Sequence, residues 1–96
     1  MLNIAYSNNK RVMHINKNIA ISESGFIFNP STGDSFSTNH IAQDVIRLFQ
    51  SESTLDEVII AIQEKYSIDK QTLEKDLGDF LYVLKTYQII KEDEQA

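Results

Sequence analysis

Residues 25–49 read GFIFNPSTGDSFSTNHIAQDVIRLF, and the way this stretch folds back and then turns helical decides the architecture. Phe26-Ile27-Phe28 joins aromatic to β-branched side chains, which favour an extended backbone. Asn29 to Asp34 (NPSTGD) is a turn, because Pro30 presets φ for a turn's second position and Gly33 accepts the positive φ that returns the chain. The segment 35–38 then comes back as the second strand of a hairpin. Its alternation points Phe36 to one face and the hydroxyls of Ser35 and Ser37 to the other. Asn39 has the side chain of an N-cap, and Ile41, Ala42, Val45, Ile46, Leu48 and Phe49 recur at helical spacing, giving a first helix over 40–50.

Working outward toward the N-terminus, Ser22-Glu23-Ser24-Gly25 is a polar break. Residues 19–21 form an extended run, Asn16-Lys17-Asn18 a turn, and 11–15 (RVMHI) a short strand. Residues 1–10 read as a weak strand or an extended arm. Toward the C-terminus, Thr54 and Glu57 make a T-x-x-E capping box for a second helix over about 55–66. Asp69 caps a third, longer helix. At about 100° per residue, Leu73, Leu77, Phe80, Leu81, Leu84 and Tyr87 share one arc of it, with Asp76 and Val83 at an edge of that arc. Residues 91–96 (KEDEQA) read as a frayed charged tail. The expected fold class is α+β: a small winged-helix-like domain with a short antiparallel β-sheet of about three strands followed by three α-helices, filling 1–96 as one unit.

Composition narrows the function. With 96 residues there is room for one core, and 42% hydrophobic residues including five Phe and four Tyr can fill it. The absence of cysteine rules out disulfides and thiolate metal sites. No signal-peptide pattern and no run of ~18 apolar residues occurs, so a cytoplasmic location is expected. A net charge of −5 with dispersed basic residues opposes nucleic acid and anionic membrane, since phosphate neutralisation supplies most of the affinity of a DNA-binding protein. His14 and His40, the two histidines, lie in no zinc-binding spacing, and no phosphate-cradling glycine pattern is present. Ser35 and Ser37 have no base or orienting partner to make either a nucleophile. Neither catalysis nor a cofactor is expected.

The hairpin and helices together resemble the PqqD-like family, which includes pyrroloquinoline-quinone biosynthesis protein D and the recognition elements of ribosomally made, modified peptides. The resemblance covers about 19–90. It is carried by Phe28-Asn29-Pro30, Gly33, Phe36, Thr38-Asn39, Ile46, Leu48-Phe49, Thr54, Glu57, Tyr66, Asp76-Leu77, Phe80-Leu81, Leu84 and Ile89-Ile90. Thr38 stands where the family often has Leu, and Ser51-Glu52-Ser53 where it usually has an acidic-Gly pair. These two departures leave the subfamily and the native peptide open.

The resemblance implies a peptide chaperone. A precursor or leader peptide would add as a strand to the edge of the sheet, beside the third helix. A radical S-adenosylmethionine protein or other peptide-modifying enzyme would then act on it. The implied peptide-binding residues are Asp34, Ser35, Phe36, Ser37 and Thr38 on the hairpin, with Asp76, Phe80, Val83 and Tyr87 on the helix. An open strand edge offers the backbone groups such a guest needs. The same outline is compatible with a winged-helix DNA-binding protein, although Glu74, Asp76 and Asp79 make a poor recognition helix. It is also compatible with an interaction or dimerisation domain, so the expected state is monomer or homodimer.

Overall fold

Three short polar side chains start the three helices found among the described residues. In the computed structural model, which describes residues 12–92, Asn39 accepts from the Ala42 amide and opens α1 (His40–Gln50). Thr54 accepts from the Glu57 amide while the Glu57 carboxylate accepts from the Thr54 amide, opening α2 (Leu55–Tyr66). Asp69 accepts from the Thr72 amide and opens α3 (Lys70–Thr86). Each cap satisfies an amide that the helix leaves without an internal partner.

Among the described residues four strands precede the helices and one follows: β1 (Met13–Ile15), β2 (Ala20–Ile21), β3 (Phe26–Asn29), β4 (Asp34–Ser37) and β5 (Ile90–Glu92). β3 lies between β2 and β4 in a three-stranded antiparallel sheet, and β1 pairs with β5 in a separate antiparallel ladder. The three-stranded sheet followed by three helices is the α+β arrangement expected. A core of Met13, Ile27, Ile46, Phe49, Ile62 and Leu84, among others, joins the sheet to all three helices. Each fully buried aliphatic side chain of this kind contributes about 1.5–3 kcal/mol.

Three boundaries differ from expectation. The returning strand is β4 (Asp34–Ser37) rather than 35–38, because the Asn29 carbonyl accepts from the Thr32 and Gly33 amides and closes the turn so that Asp34 lands opposite Asn29. β1 begins at Met13, with Val12 forming only an isolated bridge to Thr54. Lys91 and Glu92 are not a frayed end: they belong to β5, where Lys91 pairs with His14 and Glu92 with Met13. Ile89 and Ile90, both buried, drag these polar residues into the ladder. The expected arm 1–10 and the last residues of the tail, 93–96, lie outside the described residues.

One polar cluster fastens α1 to α2. The Asp44 carboxylate accepts from the Tyr66 hydroxyl at 2.5 Å and lies 2.9 Å from Lys65 Nζ and 3.3 Å from Arg47 Nη1. The Tyr66 hydroxyl, then Lys65, holds the Asp44 carboxyl below its ordinary range, and the same bond raises the Tyr66 phenol. A carboxyl depressed in the folded state contributes stability above its unfolded pKa, about 3.9, and loses it as pH falls through the lower folded value. Thermal melts from pH 7 down to pH 2 should therefore show an acid-labile component that Asp44→Asn removes. An unchanged acid limb in that variant would show that the cluster is not the source.

Candidate functional site

The register of the hairpin sets which backbone groups of β4 are free. The Ser22 amide donates to the Phe26 carbonyl, so Phe26 turns its backbone polar groups toward β2. In an antiparallel ladder these directions alternate, so Ile27 turns toward β4, where Phe36 is its partner. The Thr38 amide, donating to the Gly25 carbonyl at 3.0 Å, keeps the same phase. Phe36 therefore spends its N–H and C=O on β3, and Ser35 and Ser37 direct theirs away from the sheet. Among the described residues no strand pairs with that side of β4. A free row of donors and acceptors of this kind is a template for an added strand.

The side chains alternate in the opposite sense. Ser35 and Ser37 are exposed on the outer face, with Phe26 and Phe28, which are 45% and 38% exposed. Phe36 and Asp34 are half-buried on the inner face, with Ile27 and Asn29. There Phe36 meets Tyr87 at the end of α3, ring centroids 4.9 Å apart and planes inclined at 62°, an edge-on aromatic contact. Asn29, only 2% exposed, holds the two elements at that distance: its Nδ2 donates to the Tyr87 carbonyl at 3.1 Å, and its Oδ1 accepts from the Ser31 amide at 3.0 Å.

From this aromatic contact the chain runs through β4 and Thr38 to Asn39, antiparallel to α3. Asn39 reaches a cavity of about 370 Å³ between the first turns of α1 and the middle of α3. The buried side chains of Val45, Leu73 and Leu77 form its floor and half-buried Phe80 a wall, while the exposed Asp76 and Asp79 stand at the rim. Val83 and Tyr87, 40% and 39% exposed, continue the same flank of α3. Asp79 is paired with Lys75 at 3.4 Å, and both are largely exposed. Asp76 has no such partner among the described residues.

The expected site residues thus fall into two groups along one flank of α3, which meets β4 through Phe36 and Tyr87. Asp34, Ser35, Phe36 and Ser37 make the β4 wall, with Tyr87 touching Phe36 directly and Val83 one helical turn from Tyr87. Asp76 and Phe80 border the cavity at the other end. Thr38 is engaged within the hairpin itself, since its amide and its hydroxyl both donate to the Gly25 carbonyl and its own carbonyl accepts from Gln43. The sequence does not disclose two contributors. It gives Asn29 as part of the turn and of the family pattern but not as a tie to α3, and the cavity arises from helix packing that no local pattern reports. Of the histidines, His14 lies near Glu52, at 3.8 Å, on the β1 side of the molecule. Among the described residues no group of His, Asp and Glu could hold a metal ion, and no helix is long and apolar enough to cross a membrane.

Comparison with known proteins accords with this fold. A solved structure of TbiB1 in complex with the TbiA(beta) leader peptide superposes with a TM-score of 0.77 at 22% identity, covering 85% of this chain and 99% of that one. No curated protein matches the chain. The model of the coenzyme PQQ synthesis protein D (PqqD) family matches residues 25–90, from the glycine that opens the hairpin to the first residue of β5. The hairpin, the three capped helices and the flank of α3 that meets β4 all lie within that match, and the chain belongs to the PqqD family.

Proposed function

We propose that the protein is a non-catalytic peptide-binding partner, which captures a ribosomal precursor or leader peptide in the cytoplasm and presents it to a modifying enzyme. The guest extends the three-stranded sheet at β4 and lies in the trough beside α3. The observation that carries this reading is the free backbone edge at Ser35 and Ser37, set against the apolar flank of Phe36, Phe80, Val83 and Tyr87. Main-chain bonds to the edge supply affinity without regard to sequence, and the flank reads every second side chain of the guest. Membership of the PqqD family supports the reading. So does the fold shared with TbiB1, a protein solved with a leader peptide bound. A radical S-adenosylmethionine enzyme or another peptide-modifying enzyme is the partner this role calls for. The DNA-binding alternative is disfavoured by Asp76 and Asp79 on the accessible flank of α3, since like charge opposes phosphate.

The test is a selection of 12-residue peptides from a random displayed library on the immobilised protein. The winning peptide is then titrated into isotope-labelled protein and followed by amide NMR and hydrogen exchange. Shifts should centre on 34–38 and on α3 from Asp76 to Tyr87. The Ser35 and Ser37 amides, which no strand among the described residues pairs with, should become protected on binding. Shifts confined to the β1–β5 ladder or to α2, with those two amides still exchanging freely, would reject the proposal.

A further inference from the structure

The trough is not uniform along its length, and its polarity specifies the guest. At the Tyr87 end the flank of α3 is Phe36, Val83 and Tyr87, apolar and aromatic. At the other end the cavity keeps an apolar floor but carries Asp76 and Asp79 at its mouth, and among the described residues no cationic side chain lines it. Lys75 offsets Asp79 through an exposed pair, in which solvent screening leaves little net interaction. Among the described residues Asp76 has no such offset, and it stands at the edge of an apolar wall. A side chain with a long aliphatic stem and a cationic tip fits both features: the stem covers Phe80 and the tip reaches Asp76.

Spacing follows from the two geometries. Tyr87 and Asp79 are about 12 Å apart along the helix axis at a rise of 1.5 Å per residue, and Tyr87 and Asp76 about 16 Å. An extended guest advances about 3.3 Å per residue and turns every second side chain into the trough, so a spacing of four, about 13 Å, brings a side chain level with Asp79, and a long cationic side chain spans the remaining ~3 Å to Asp76. We infer that the bound segment carries a large apolar residue and, four positions away, a lysine or arginine that docks at Asp76. This rests on the proposed peptide binding and names the class of peptide that the site selects.

The experiment sequences the whole pool retained from the random library by the wild-type chain, by Asp76→Asn and by Asp76→Lys. Wild type should enrich Lys or Arg about fivefold over the input pool at one position, four from an apolar position, the upper end of what one exposed ion pair supplies. The enrichment should collapse in 0.5 M NaCl, where screening is short-ranged. Asp76→Asn should abolish it. Asp76→Lys should replace it with Asp or Glu at the same spacing, a reversal that a merely structural effect would not produce. Position 76 is exposed, so both variants keep the fold. Retained peptides with apolar enrichment but no basic position, or a basic position unchanged in Asp76→Lys, would overturn the inference and leave peptide binding standing. Retention of no peptides by the folded wild-type chain would overturn both.

Discussion

Ser37→Pro is expected to weaken binding of a selected peptide at least tenfold, about 1.4 kcal/mol, while leaving the fold intact. The Ser37 amide points away from β3, so replacing it with a ring nitrogen removes no hydrogen bond within the sheet; proline is tolerated at such edge positions. The residue before a proline is driven toward extended backbone, and Phe36 is already a strand residue. What is lost is one bond to the guest, about 0.5–1.5 kcal/mol, together with the close approach that the ring now blocks. Ser35→Pro should behave alike. Ser35→Ala and Ser37→Ala should bind normally, because the side chains point outward and only the backbone is used. Phe36→Pro should unfold the hairpin, because it removes a ladder bond to Ile27 and the ring against Tyr87. Calorimetric titration together with thermal melts distinguishes these outcomes. Full binding by Ser37→Pro, or loss of binding in the alanine variants, would remove the β4 edge from the mechanism.

The same hairpin shows what a sequence discloses and what it does not. The helix starts are local chemistry: Asn39, Thr54 and Asp69 each bond an amide three residues on, so reading the sequence places all three starts correctly. Gly33, with φ of +81°, likewise announces its turn. The faces of β3 are not legible, because Phe-Ile-Phe-Asn offers no apolar–polar contrast at period two. Reading hydrophobicity alone would bury the phenylalanines, yet the structure buries Ile27 and Asn29 and leaves Phe26 and Phe28 partly exposed. β5 escapes for a related reason. Lys91 and Glu92 have no strand signature of their own, and their pairing is set by buried Ile89 and Ile90 against a strand more than seventy residues earlier. In the site, α3 could be phased from its heptad-like arc, which placed Asp76, Phe80, Val83 and Tyr87 along one flank. The cavity beside them depends on how α1 crosses α3, and the separation between β4 and α3 depends on Asn29 finding a carbonyl 58 residues away. Non-local partners of this kind leave no periodic trace.

That distant contact leads to the second large effect. Asn29→Asp, nearly isosteric, is expected to destabilise the protein by about 2–4 kcal/mol at neutral pH. The buried amide donates to the Tyr87 carbonyl, and an ionised carboxylate has no proton to give. The carbonyl is left unpaired, at about 1–3 kcal/mol, and a charge is buried beside its oxygen. Burial raises the pKa of the introduced carboxyl in the folded state. A group whose folded pKa is raised keeps its stability below its unfolded value, about 3.9, and loses it as pH rises through the folded value. The deficit relative to wild type should therefore shrink between pH 7 and pH 4, where the protonated acid again donates to Tyr87. The acid-labile contribution of Asp44 is common to both proteins and cancels in the difference. Denaturant unfolding of both chains across that range measures it. Peptide affinity should follow the same pH course, because the amide that fastens Asn29 to Tyr87 also keeps Phe36 and Tyr87 in contact and so sets the width of the trough. A deficit below about 0.5 kcal/mol, or one independent of pH, would mean that the bond is incidental and that packing alone aligns the strand with the helix.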